Sequence, residues 1–420
     1  MTASRLRVAV SPLRRDVSPR RAKEGFVPEP LPSVAAVVAK LRPEDPVHCL
    51  RPAAITAAAR SFVAAFEGRT LYAVKCNPEP RVLAALWRGG VRAFDCASPA
   101  EIALVRQVLP DATIHYMHPV KARSAIRTAW HQHGVRDFAL DSAAELDKIL
   151  AEIGPTDDLG LIVRLALPKG GAALDLSGKF GVAPEDAPVL LRRARSAAAR
   201  LGISFHVGSQ CADPARWSAA IALAGDVALA AGVKLDVLDV GGGFPVAYAV
   251  DADLPQLGAF MAEIDAGVAA LTERLGDLSP AEIWAEPGRA LVAQGVSVVV
   301  QVQARKGDAL YINDGVYGSL ADAGSLNWRF PLRALSQTGA AQSHAALRRF
   351  TLFGPTCDSL DRMDGGFWLP EDIAEGDWIE IGQLGAYGAT LRTAFNGFDR
   401  GHLVEVADAP LLETPGYAIA

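Results

Sequence analysis

The sequence predicts an α/β protein, a (β/α)8 TIM-like barrel followed by a C-terminal, mostly antiparallel β-domain. Three observations carry this expectation. The chain is 420 residues long, enough for one large barrel and a smaller unit. From about residue 52, Ala/Leu/Arg-rich stretches with helical periodicity alternate with short β-rich runs, as βα units on a parallel sheet require. After residue 290 that alternation stops, and Gly-punctuated β-rich segments take over.

Taken in order, a helix at about 53–67 precedes the first strand, "TLYAVK" (70–75). "VRAFDC" (91–96), "TIHYM" (113–117) and "RDFALD" (136–141) follow. The second half brings "LGLIVRLAL" (159–167), "ISFHV" (203–207), "LDVLDV" (235–240) and "EIWAEP" (282–287). Between them lie helical stretches such as "PAEIALVRQVL", with Ser98 as its N-cap, and "SAAELDKILAEI", where Ser142 and Glu145 have capping-box spacing. Eight such units span roughly 235 residues, the size of a closed barrel. A doubly wound open sheet is the rival architecture, but units of similar length fit closure better. Further on, "LVAQGVSVVVQVQARKGDALYIND" reads as two strands joined at a Lys-Gly-Asp turn. The expected domains are an N-terminal arm packing with the β-domain (1–47), the barrel (48–288) and the β-domain (289–420).

Composition narrows the function classes. Half of the residues are hydrophobic, 21% are charged and the net charge is -5, so neither a nucleic-acid footprint nor a membrane-spanning run is expected. Five scattered cysteines without a CxxC pair point to a reducing compartment, and a cytoplasmic location is the expectation. No metal is expected: His115 and His118 have no completing ligands nearby, and His131 and His133 diverge on a helix. The first 25 residues carry seven Arg or Lys against two acids and read as a basic arm, organellar targeting being the minority reading.

In βα barrels chemistry gathers where the strands end. Here those ends carry Lys75, Asp95, His115 or His118, Asp141, Arg164, His206, the glycines 241–243 and Glu286. Alone, Lys75 in "LYAVKCNPEP" would be a lysine snorkelling to solvent; among these neighbours it faces a barrel mouth. "VGGGFP" leaves backbone N–H groups open to an anion, and Arg289 of "EPGR" can add a charge-assisted contact. An amine, a phosphate cradle and a carboxylate on one mouth suggest pyridoxal 5'-phosphate, with Lys75 forming the Schiff base and Glu286 holding the pyridine nitrogen protonated. His206 would lie against the ring face, unless "SFHVGS" merely buries a satisfied core histidine.

Eight segments in order, "YAVKCN", "FDCAS", "SFHVGS", "LDVGGGFP", "AEPGR", "NDGVYGS", "GPTCDSLD" and "FNGF", cover about 70 to 400. Through them the chain resembles the fold-type III pyridoxal-phosphate-dependent decarboxylases, and among these the ornithine decarboxylase group. The resemblance implies a homodimer with shared active sites and a small basic amino acid as substrate. It implies Lys75 as the cofactor lysine, with Asp95, Arg164, His206 and Glu286 about the ring. Ser209, Gly242, Gly243, Gly288, Arg289 and Tyr387 would hold the phosphate. From the partner subunit, Cys357 would reprotonate the α-carbon and Asp358 would meet the distal amine. Tyr317 and Phe395 belong to the same substrate set.

One stretch departs from the pattern. A second substrate aspartate is expected shortly after "VYGS", where this chain reads "SLADAGSLNWRFP" and offers only Asp322 across a gap. Without it the substrate could be lysine, arginine or a modified diamine precursor instead of ornithine. "HVGSQ" keeps diaminopimelate decarboxylase as the same-fold alternative, although Asp358 stands where that family tends to carry Glu. An alanine racemase would want an arginine at the pyridine nitrogen. A catalytically inactive homologue acting as a regulatory binding protein is the alternative from another class.

Overall fold

The computed structural model describes residues 11–12, 30–168, 172–174, 178–248, 254–325, 328–336 and 345–414. The chain divides into two compact units, Thr56–Val246 with Asp253–Leu291, and Met1–Ile55 with Ala247–Ala252 and Val292–Ala420.

In the first unit eight parallel strands close into a barrel: Arg69–Ala73, Ala93–Cys96, Thr113–Tyr116, Asp137–Leu140, Gly160–Arg164, Arg200–Ser204, Val237–Asp239 and Glu282–Ala285. The seam lies between the eighth strand and the first, with Trp284 beside Arg69 and Ala285 beside Thr70. Among the described residues a helix fills every gap between consecutive strands, from Pro80–Arg88 to Leu257–Leu275. Their caps follow local chemistry: the Ser98 and Ser142 hydroxyls accept from the N–H groups of Glu101 and Glu145. The expected capping box at Ser142 is only half made. Glu145 turns away to accept the backbone N–H of buried Lys121 and to pair with its amine at 3.0 Å, because an unpaired buried ammonium would cost more than an open N-terminus.

Leu71, Ile162, Val237 and Trp284 fill the barrel interior. His115 is fully buried among them, with Nδ1 3.0 Å from Asp137 and its ring 4.5 Å from that of Trp284. It is a paired core histidine and not a mouth residue. Two strands end earlier than the sequence suggests. The first stops at Ala73, and Lys75 sits on the single turn Val74–Cys76. The sixth runs over 200–204 instead of 203–207, because Ser204 is the last position at which both Arg164 and Asp239 can pair with it. His206 therefore lies on the loop past the strand. The barrel also carries an unexpected antiparallel pair, Ala172–Leu174 with Ser209–Cys211.

The second unit is a mixed, mostly antiparallel sheet organised on one long strand, Val296–Lys306. Its β-branched residues alternate between two cores, as a period of two demands. Val298, Val300 and Val302 pack with Phe350, Leu352 and Ile379. Val299 turns the other way, to Val47, Trp378 and the helix residues Val34, Val37 and Val38. The hairpin to Ala309–Ile312 turns at Gly307, whose φ of +60° suits glycine. The strand Val47–Leu50 pairs within this sheet, so the sheet unit extends to Ile55 and not to 47 as the sequence suggests. Of the N-terminal arm, Ser11 and Pro12 pair with Leu403 and His402, while 1–10 and 13–29 lie outside the described residues.

Glu380 is fully buried at the centre of the sheet and accepts from Arg51, Ser297 and Arg333. Removing such an anion strands buried cations. Glu380→Ala is expected to lower unfolding stability by about 3–5 kcal/mol, read as a lower urea midpoint; an unchanged midpoint would contradict this account.

Candidate active site

The turn Val74–Cys76 sets the first functional side chain. Val74 and Cys76 are fully buried, so Lys75 between them must project outward. Its side chain is 45% exposed, and Nζ donates to Oδ2 of buried Asp95 at 3.0 Å. That carboxylate on the adjacent second strand holds the amine at the C-terminal end of the barrel.

Glu286 follows the eighth strand, and its N–H donates to the Gly241 carbonyl at 2.8 Å, tying it to the loop after the seventh strand. Burial pushes the Glu286 carboxyl well above its usual range; Asp239 and Asp95 add to this, while Lys75 and Arg164 oppose it. His206 is the converse case. Desolvation, then the charges of Arg164 and Lys75, push it down to about 3, so its ring is neutral at physiological pH. Its Nδ1 accepts from the Gly208 N–H at 3.0 Å, which fixes the ring and directs the tautomer. Arg164, at the end of the fifth strand, lies over the Phe180 ring at 5.8 Å, and the His118 ring meets the same phenyl at 5.1 Å.

The glycines 241–243 line the loop where the seventh strand ends. At Gly242 an added Cβ would stand 2.6 Å from the Glu286 carbonyl oxygen and 3.3 Å from His206 Nε2. At Gly243, with φ of +107°, it would stand 2.4 Å from the Gly208 carbonyl oxygen. Only glycine lets this loop close on the loops after the sixth and eighth strands, and the closure leaves a cradle of backbone with no side chain over it. The Cys211 N–H donates to the Gly243 carbonyl at 3.0 Å, drawing the Ser209–Cys211 strand to the same loop. Gly288 packs on Cys76, where a Cβ would meet Cys76 Cβ at 3.1 Å, and buried Arg289 follows it. The barrel thus gathers Lys75, Asp95, Arg164, His206, Ser209, Gly242, Gly243, Glu286, Gly288 and Arg289 on the strand ends and loops of one end. These residues fit pyridoxal phosphate: an amine, a carboxyl, a neutral flat ring and a glycine cradle.

The remaining candidates belong to the sheet unit. Cys357 is exposed, whereas the other four cysteines are buried. It lines a cavity of about 770 Å³ together with Asp358, Thr356, Asp361, Tyr311 and Phe398. Tyr317 donates its hydroxyl to Asp358 Oδ2, and its ring stacks at a tilt on Phe395, 4.9 Å between centroids. The Leu360 N–H, then the Tyr317 hydroxyl, hold the Asp358 carboxyl below its ordinary range, so it is ionised at neutral pH. Asp322 lies in the first turn of the short helix Ala321–Ser325 and is not among the residues lining this cavity. Tyr387 is half-buried in the same unit, with φ of +58°.

Three further residues matter that the sequence did not single out. Asp361 is buried, and its carboxylate accepts from the Val316 N–H, the Thr356 N–H and the Thr356 hydroxyl at 2.7–3.0 Å, binding the loop of Cys357 to the loop of Tyr317. Asn396 accepts the Cys357 N–H at 3.1 Å. Asp239, fully buried, lies beside Glu286. Each sits inside a segment already conspicuous ("GPTCDSLD", "FNGF", "LDVGGGFP"), but nothing in residue spacing shows which backbone or carboxyl it meets. Among the described residues no group of three or more His, Cys, Asp or Glu is placed to hold a metal ion.

Comparison with known proteins agrees with this chemistry. Residues 53–293 match the pyridoxal-binding domain of the pyridoxal-dependent decarboxylases, and 247–385 match their C-terminal sheet domain. An ornithine decarboxylase of Panagrellus redivivus is 36% identical over 359 residues, covering 78% of each chain. A lysine/ornithine decarboxylase of Selenomonas ruminantium is 32% identical, covering 81% of this chain and 84% of its own. The structure of a lysine/ornithine decarboxylase from Vibrio vulnificus complexed with cadaverine superposes with a TM-score of 0.75 at 31% identity, over 89% of this chain and 97% of that one. With the lysine, the carboxyl and the glycine cradle on one barrel end, and both family domains matched in order, the chain belongs to the pyridoxal-dependent decarboxylases.

Proposed function

We propose that the protein decarboxylates a basic L-amino acid, L-ornithine to putrescine in the first place, with L-lysine to cadaverine as a second activity. The observation that carries the substrate class is the ionised Asp358 beside exposed Cys357 on one cavity rim. A fixed carboxylate next to a proton-donating thiol suits a substrate whose far end is an ammonium. The relatives named above for ornithine and lysine support the same class. Against diaminopimelate, the reading that "HVGSQ" supports, stands Asp358, which offers that substrate's second carboxylate only repulsion.

Bound at the barrel mouth, pyridoxal phosphate supplies a conjugated electron sink for the charge left at the α-carbon when CO2 departs. The chain's own residues do the rest. Lys75 would hold the cofactor through Nζ, and Asp95 keeps that amine in place. The glycine loop, Ser209 and Arg289 would bind the phosphate. A neutral His206 can lie against a ring face without repelling a cationic heterocycle. Glu286 would accept the ring N–H, favouring the protonated, electron-withdrawing form. Cys357 would hand a proton to the α-carbon, and Asp358 would orient the distal ammonium.

The protein is further read as a homodimer in which the Cys357 loop of one copy serves the barrel of the other. Support comes from apolar side chains exposed in the sheet unit: Leu360 is 73% exposed, and Leu391, Phe395 and Phe398 are exposed as well. Exposed apolar groups in the unit that carries the thiol suit a surface that a second copy covers. A cytoplasmic site of action remains part of the proposal.

Lys75→Ala is expected to abolish the borohydride-sensitive visible absorbance of the purified protein; a wild-type protein without such a band would favour the inactive-homologue reading. Cys357→Ala is expected to slow amine formation and divert turnover to transamination while cofactor stays bound, and unchanged product kinetics would refute the thiol's role. For Asp358→Ala, KM for ornithine should rise about tenfold or more, and far less for an analogue without the distal cation. CO2 release compared across ornithine, lysine, arginine and meso-diaminopimelate tests the substrate order.

A further inference from the structure

In the sheet unit the segment 393–400 is exposed at every residue, yet it carries Phe395, which packs on Tyr317, and Asn396, which accepts the Cys357 N–H. An exposed segment with no core of its own needs an anchor to hold such side chains in place. The residue just before it, Arg392, is buried. One terminal nitrogen of its guanidinium donates to the Arg400 carbonyl, at the far end of the segment, and so closes the loop on itself. The other donates to Asp314 Oδ2 and to Ser319 Oγ, each at 3.0 Å. Asp314 and Ser319 bracket the turn that carries Tyr317. Asp314 is buried, and its Oδ1 accepts the N–H groups of Gly315 at 2.9 Å and Ser319 at 3.0 Å. His48 faces the same guanidinium at 3.4 Å; burial, then the Arg392 charge, push it down to about 3, so it adds no second cation. The two segments also meet directly, the Thr393 N–H donating to the Tyr317 carbonyl at 2.8 Å. Tyr317 in turn donates its hydroxyl to Asp358.

We propose that Arg392, paired with Asp314, is a positioning residue of the substrate site: it clamps the 393–400 segment to the Tyr317 turn, and thereby sets the Tyr317 hydroxyl on Asp358 and Asn396 on the Cys357 backbone. A planar guanidinium presents several donors in a fixed fork, which is what joining Asp314, Ser319 and Arg400 from one side chain requires. Asp361 binds the Cys357 loop to the Tyr317 loop, and Arg392 binds the Tyr317 turn to the segment of Phe395 and Asn396. The two buried groups together join all three loops around Asp358. The purpose assigned to the clamp rests on the reading of Asp358 as the partner of a distal ammonium; the clamp itself does not.

Two variants of the full chain test the clamp. Arg392→Lys keeps a charge opposite Asp314, but one ammonium nitrogen does not reproduce the fork. Arg392→Met combined with Asp314→Asn removes both charges together, so no buried ion is stranded and the fold is guarded. In both, the bonded amides of Thr393, Gly397 and Phe398 are expected to exchange hydrogen about tenfold or more faster than in wild type, while those of the barrel strand Arg69–Ala73 keep their rates. Unchanged exchange at Thr393 in both variants, or equal acceleration in the barrel strand, would overturn the clamp. The positioning role is read from a double-variant cycle in the enzyme loaded with pyridoxal phosphate. Arg392→Lys should raise KM for L-ornithine about fivefold or more, but add less than about twofold when Asp358 is already alanine, because the clamp acts through that carboxylate. No rise in the first case, or an equal rise in the second, would overturn the positioning role. If Asp358→Ala by itself leaves KM for ornithine unchanged, the distal-ammonium reading fails, and exchange at Thr393 still decides the clamp.

Discussion

The active site depends on a seam. The eighth strand hydrogen-bonds to the first, and only this pairing brings the loop of Glu286 to the loop of Lys75. The Ala73 N–H donates to the Pro287 carbonyl at 3.2 Å, and Gly288 packs on Cys76 with no space for a larger side chain. An open sheet would leave the amine and the acid on opposite edges. Closure turns two chain segments more than 200 residues apart into neighbours on one rim.

Around that rim the barrel concentrates charge in a place that disfavours it. Asp95 and Asp239 are buried, Glu286 is partly buried, and Lys75 and Arg164 are the cations that face them. A fold selected for stability alone would replace such a cluster with apolar side chains, since burying ions seldom repays its desolvation. Here the unfavourable electrostatics have a chemical use. A cationic ring bound there would meet carboxyls that burial alone disfavours, and a neutral His206 would add no repulsion. The sheet unit solves a different problem, how to keep an exposed loop ordered. Asp361 does so with three donors from two loops, and it approaches so closely that a Cβ at Gly315 or Gly354 would stand 2.1 Å from its carboxylate.

Most of the architecture was legible from period and punctuation. The eight strands lie where short β-rich runs alternate with helical stretches, and the change of texture after residue 290 marks the start of the long strand at Val296. Boundaries were less legible, because a strand's end is set by its neighbours. The run "ISFHV" is apolar enough to continue, yet the ladder stops at Ser204, where the fifth and seventh strands stop, and His206 becomes a loop residue. Val47–Leu50 reads like the approach to a barrel but joins the other sheet, a choice made by long-range pairing with Val296–Val299.

The same division holds for the site. The sequence alone determined which side chains have chemistry to offer: a lysine, a glycine run and an acid near successive strand ends, and a thiol beside an aspartate in a polar loop. Residue type and spacing carry that information because backbone geometry is local. Tertiary structure decided what those side chains are. Whether a carboxyl is held below its ordinary range, as at Asp358, or pushed above it by burial, as at Asp239 and Glu286, depends on the donors, charges and solvent left around it after folding. Acidity is a property of surroundings, and in this chain those surroundings are assembled from strands far apart in sequence.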